Sequence, residues 1–115
     1  MHKNEKCLAC TDSDLPFEAA VYATINYFNE LEIEYCFTDD RHHEKNFTRK
    51  ATVCKEDTIT MARYLHTTVE ELPKTLFESC GSAYCSSTSN AELIFQGTLN
   101  TIIDTGVTYN LHDVK

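Results

Sequence analysis

The sequence predicts an all-α fold, a single domain of four helices packed up-up-down-down and stapled by disulfides. Three observations point there. Apolar residues recur at three- and four-residue spacing in four separate stretches. The first link between those stretches is long, the second very short and the third intermediate. Short links force antiparallel neighbours, whereas long ones permit crossing to a parallel neighbour, and two long crossovers give this topology. Finally, six cysteines (Cys7, Cys10, Cys36, Cys54, Cys80 and Cys85) are spread over 115 residues. An even, dense set of that kind staples small domains in oxidising compartments.

Residues 1–13 are polar and read as an N-terminal arm carrying Cys7 and Cys10. From Leu15, the positions Phe17, Ala20, Val21, Thr24, Ile25, Phe28 and Leu31 form one stripe, giving a helix A of about five turns. Ser13 or Asp14 can cap it, and Pro16 suits its first turn. Ile33–Phe37 alternates apolar and polar residues and reads as a short extended segment in the A–B link. Thr38–Lys45 is an exposed polar loop. Ala51, Cys54, Thr58, Ile59, Ala62 and Leu65 share one face of helix B.

Thr68 and Glu71 have capping-box spacing before helix C, whose stripe is Val69, Leu72, Leu76 and Phe77. Pro73 keeps that helix short, and Gly81 is placed for a left-handed stop after Cys80. Ser82–Asn90 is a loop. Helix D carries Leu93, Ile94, Leu99, Ile102 and Ile103 and stops near Gly106. Gly97 within it costs about 1 kcal/mol against alanine, which marks a close helix contact. Residues 107–115 read as a loosely held tail, and the domain spans 1–115.

Eighteen acidic against ten basic residues give a formal net charge of −8. That balance excludes a nucleic-acid binder, whose phosphates reward clustered Lys and Arg. It also excludes a peptide that attacks anionic membranes, while a basic partner surface would be steered towards the chain. No stretch is long enough to cross a membrane, so no stable membrane insertion is expected. The first six residues lack the apolar run of a signal peptide, as expected of a mature chain given an initiator methionine. Asn46-Phe47-Thr48 is an N-glycosylation acceptor, and with the cysteines it predicts a secreted, extracellular glycoprotein.

No catalytic constellation emerges. Cys7-Leu8-Ala9-Cys10 lacks the preceding strand and helix start that a redox motif needs. Zinc would want a second hook beside Cys7 and Cys10, and the adjacent His42 and His43 diverge too much to supply one. Glu70-Glu71 and Asp39-Asp40 are sequence neighbours on polar faces, where solvation explains them. The expectation is a protein that is not an enzyme, with no metal and no cofactor.

The stretch Asn46-Phe47-Thr48-Arg49-Lys50-Ala51-Thr52-Val53-Cys54-Lys55, continued by Thr58 and Ile59, resembles the glycosylated start of helix B in the interleukin-4/interleukin-13 family. The short, Cys80-terminated helix C resembles the interleukin-13 branch, and Glu92–Gln96 leading to Ile102-Ile103 resembles the last helix of common gamma chain cytokines. The chain departs from that family in its extra Cys7 and Cys10 and in lacking a C-terminal cysteine. The resemblance implies a divergent, non-mammalian cytokine, a secreted monomer that assembles cell-surface receptor chains. It also implies a bridge from Cys54 to Cys80 or Cys85. Receptor contacts would come from polar positions flanking the stripes: Glu18, Tyr22, Asn26 and Glu30 on helix A, Glu70, Lys74 and Glu78 on helix C, and Gln96 and Asn100 on helix D. The order of cysteines resembles a second family, the saposin-like lipid binders, which would pair Cys7 and Cys10 with Cys80 and Cys85, and Cys36 with Cys54.

Overall fold

The computed structural model describes residues 3–11, 16–81 and 88–114. It overturns the all-α expectation. Among the described residues, the chain forms a five-stranded antiparallel sheet in the order β1-β2-β3-β4-β5, with three α-helices. The strands are β1 (Lys3–Cys10), β2 (Phe17–Ile25), β3 (Leu31–Asp39), β4 (Phe47–Val53) and β5 (Asn110–Val114). Helices α1 (Lys55–Tyr64), α2 (Leu72–Cys80) and α3 (Thr88–Asp104) intervene between β4 and β5.

The correction begins at helix A. Phe17-Glu18-Ala19-Ala20-Val21-Tyr22-Ala23-Thr24-Ile25 satisfies the helical stripe, but it also alternates with period two. Phe17, Ala19, Val21, Ala23 and Ile25 share one face of a strand, and the last four are buried. Val21, Tyr22, Thr24 and Ile25 are β-branched or aromatic, so local preference supports the strand as well. Pairing decides it, because β2 is hydrogen-bonded along its length to β3, from Phe17 opposite Asp39 to Ile25 opposite Leu31. The expected arm is the edge strand β1, with Leu8 and Ala9 fully buried. The expected tail is β5.

Helix B is half right. Its first part, Phe47–Val53, is β4, and the helix starts only after Cys54. Thr58 makes the joint: its hydroxyl donates to the Val53 and Cys54 carbonyls and accepts the Leu31 N–H at 3.1 Å. The extended segment at 33–37 is the middle of β3, and the last two helices stand where the periodicity put them. Thr68 does accept the Glu71 N–H, but in a turn ahead of α2, with Pro73 in the helix's first turn.

Two glycines differ from expectation. Gly81 is extended, not left-handed, and a Cβ there would meet the Phe77 carbonyl at 2.6 Å. Gly97 has open space around it, so no close helix contact explains it. Gly106, at φ 91°, ends α3 in a conformation that glycine adopts without strain. Ser13, Asp14 and Cys85 lie outside the described residues, as does most of the expected 82–90 loop.

α2 and α3 lie on one face of the sheet, over β1, β2 and β3. The core between the layers is built from Leu8, Val21, Ile25, Ile33, Met61, Leu72, Leu76, Phe95, Leu99 and Ile102. Among the described residues, no helix packs on the opposite face. Alternation places on it Tyr22, Glu34 and Lys50 in one row, and Ala20, Cys36 and Thr48 in the next.

Candidate functional site

Two surfaces combine exposed apolar groups with fixed geometry. The first is the β2–β3 connection. Asn26 N donates to the Glu30 carbonyl at 3.0 Å, and the Asn26 carbonyl accepts the Asn29 N–H at 3.1 Å. The Asn26 side chain then locks the turn from inside. Its Oδ1 accepts the N–H groups of Phe28 at 2.8 Å and Glu30 at 3.0 Å. Its Nδ2 donates to Glu30 at 2.9 Å and Glu32 at 2.8 Å. An asparagine amide has two lone pairs and two protons, and here all four are used. Asn29 takes φ 61°, a left-handed conformation that asparagine tolerates better than most residues.

This clamp presents two adjacent rings to solvent: Tyr27 is 64% exposed and Phe28 75%. Beside them lies a recess of about 580 Å³ lined by Asn29, Glu30, Cys54, Lys55 and Glu56 as well as the rings. Cys54 stands there as an exposed thiol just before α1.

The second surface lies at the other end of the sheet. Phe17, Phe37 and Phe47, on neighbouring strands, form a ladder of near-parallel rings, 6.3 Å and then 5.9 Å between centroids. Tyr35 meets Phe47 edge-on at 5.3 Å and packs under α3 against Phe95. Arg49 lies over the Phe47 ring at 5.4 Å from its centroid. Burial raises the Tyr35 hydroxyl's pKa; the nearby Glu92 carboxylate adds to that, and Arg49 opposes it.

Two of the residues singled out from sequence, Asn26 and Glu30, are brought together in the clamped turn. The others scatter. Glu18 and Tyr22 lie on the helix-free face of β2. Burial is the main cause of the raised Tyr22 pKa, followed by Cys7 and Cys36 and then Glu18 and Glu5. Glu70 and Lys74 border a cleft with Glu5 and Lys6. Glu78 is exposed on α2, and Gln96 and Asn100 are exposed on α3 between Leu93 and Ile103. Asn46 is exposed in the β3–β4 connection, where its Oδ1 accepts the Asp39 N–H at 2.7 Å. Sequence reasoning missed Tyr27 and the aromatic ladder, and it assigned Phe28 to the core.

Cys36 stands far from both Cys10 and Cys54. Cys10 and Cys36 flank Ala20 from strands on either side, so about two strand spacings, ~9–10 Å, separate them. That exceeds the reach of a disulfide. Cys36 lies opposite Thr48, and Cys54 follows six residues further along the chain, or ~20 Å if extended. The ladder instead holds the strand that carries Cys36 against β4, the strand that leads to Cys54. The Cys36 thiol donates to Glu34 at 3.0 Å, and burial, aided by Glu34, pushes its pKa up to about 12. Cys80 donates to the Leu76 carbonyl at 3.3 Å. Among the described residues, no group of three His, Cys, Asp or Glu side chains is placed to hold a metal ion, and no helix is long and apolar enough to cross a membrane.

No protein-family model, curated protein or solved structure matches the chain. The class that the fold defines is a two-layer α/β domain, a meander sheet with helices on one face.

Proposed function

We propose that this protein acts by binding another protein through the β2–β3 tip, with no chemistry of its own. The observation that carries the reading is the pair Tyr27 and Phe28, held out to solvent by a turn whose central amide is fully hydrogen-bonded. Aromatic side chains bury on the order of 150–250 Å² each when covered. At ~25 cal/mol per Å², two rings supply several kcal/mol of binding. A turn that is already ordered loses little entropy on docking, so more of that energy appears as affinity. Glu30 and Glu56 line the recess against one cation, Lys55, and the whole chain is negative. The matching partner therefore offers an apolar pocket with a basic rim. The receptor faces expected of a helical bundle are not carried forward, because the fold has no such faces.

The test places a photoreactive phenylalanine at position 28 and, as a control, at Thr52 on the helix-free sheet face. A partner captured from position 28 is purified and titrated against wild type, Phe28→Ser, Tyr27→Ser and Asn26→Ala. We expect Phe28→Ser to weaken binding by at least about tenfold, as at interface hot spots, with thermal stability unchanged. Asn26→Ala keeps both rings but should also weaken binding by loosening the turn. Equal capture from both positions, or an unaffected Phe28→Ser, rejects the proposal.

A further inference from the structure

The sheet ends in two edge strands, and they differ. β1 carries Lys3 and Lys6, breaks register with β2 at two places and lies under α2. Lysines, bulges and a covering helix are usual means by which an edge strand is kept from pairing with other chains. β5 has none of them. It contains no lysine or proline and runs in unbroken register with β4 from Asn110 to Val114. Among the described residues, no helix packs on it and no strand lies beyond it. We infer that this edge pairs with β5 of a second copy of the chain, antiparallel, about a two-fold axis at Leu111.

The side chains choose both the partner and the register. Ala23, Ile33, Ala51 and Leu111 lie opposite one another in turn across β2, β3, β4 and β5, on the helix side of the sheet. The first three are fully buried, but the row ends at the edge with Leu111 48% exposed. A two-fold axis at Leu111 sets it opposite Leu111 of the second copy, and the apolar row runs on from one sheet into the other. Facing residues of an antiparallel pair stand only ~5 Å apart, so the two leucines cover each other. On the other face, His112 meets Asn110 of the second copy, a polar pair able to hydrogen-bond. An axis at His112 would set Leu111 against Asp113 and His112 against itself, which covers nothing apolar. Charge fits the first arrangement: Asp113, the one carboxylate of β5, is held by Arg49 at 2.9 Å and does not face its own copy. The net charge of −8 on each chain opposes association, but charges more than about 8 Å apart are largely screened at physiological salt. One strand pairing buries less than the roughly 1,000 Å² of a lasting interface, so the dimer is weak and reversible.

Sedimentation velocity of the full chain from micromolar to millimolar concentration should show a reversible monomer–dimer equilibrium. Amide resonance shifts over that range should centre on residues 110–114 and leave residues 26–30 unmoved. Leu111→Glu and Leu111→Lys each set two like charges face to face across the axis. Each should weaken dimerisation by at least about tenfold, with the melting temperature at micromolar concentration unchanged. A mixture of the two variants should dimerise again, because unlike charges then face each other. Leu93→Glu, at a more exposed apolar position on α3, should dimerise like wild type. So should Phe28→Ser, which separates this edge from the protein-binding tip. A chain that stays monomeric at millimolar concentration overturns the inference. Dimerisation that survives Leu111→Glu, or is lost in Leu93→Glu or Phe28→Ser, also overturns it, as does a mixture that remains monomeric. A stronger dimer of Leu111→Lys would place Leu111 against Asp113 and overturn it too.

Discussion

The two halves of the sheet share an alternation but not a fate. Under α2 and α3, residues Leu8, Val21, Ala23, Ile25 and Ile33 are fully excluded from water. Past α3 the same face continues onto β4 and β5, where burial ends. β4 buries only Ala51 and Val53, near the start of α1, and every residue of β5 is exposed. A strand's apolar positions become core only where a second layer covers them. The covered half therefore holds the fold, while the uncovered half keeps half-buried rings beside fixed charges.

The strongest way to break this comparison is to remove a ring from the covered half. Phe95 is 1% exposed and packs on Tyr35 at 5.5 Å between centroids. Phe95→Ala should cost about 3–5 kcal/mol, the usual range for emptying a core aromatic site. Urea unfolding measures it. A loss under about 1 kcal/mol would mean that α3 is not what secures the covered half.

These halves were unequally legible in the sequence. α2 and α3 could be read because Pro73 and Gly106 punctuate them and their apolar stripes leave no rival period. β2 could not, because alanines at 19, 20 and 23 satisfy helix and strand alike, and the strand that decides between them is remote in sequence. The tip had a local signal that the helical stripe overrode: Asn26 and Asn29 bracket Tyr27-Phe28, and asparagine pairs of that kind favour turns. The ladder had none. Phe17, Phe37 and Phe47 become neighbours only through the register of three strands, which no single segment encodes.

A smaller effect belongs to the seam between the halves. Asp39 ends β3, and its carboxylate accepts Arg41's backbone N–H at 2.9 Å and its Nε–H at 3.2 Å. The side-chain bond from Arg41 is the larger cause, and the backbone bond the next, of a pKa held below the usual aspartate value. A lowered folded pKa means that the stabilisation is present above the unfolded value, about 3.9, and is lost as pH falls through the lower folded value. Asp39→Asn should therefore be less stable than wild type at pH 7, and the gap should close in strong acid. Urea midpoints for both chains across that range test it, and a gap that widens in acid would show that Asp39 is not the group responsible.

The smallest effects should come from the uncovered half, and they sharpen the comparison most. Among the described residues, β5 is held by its ladder to β4 and by the ion pair of Arg49 with Asp113, whose side chains are both partly open to water. Exposed pairs of this kind are worth about 0.2–1 kcal/mol. Leu111 is 48% exposed, so Leu111→Ser removes little buried surface and should stay within about 0.5 kcal/mol of wild type. Local opening is a different quantity from global unfolding. Asp113→Ala should leave the global urea midpoint nearly unchanged yet speed hydrogen exchange in residues 110–114, because an edge strand without apolar cover opens on its own. The amides of β2 should not respond. If Leu111→Ser instead cost as much as a core truncation, β5 would have to be covered, and the division of the sheet into a covered half and an uncovered half would fail.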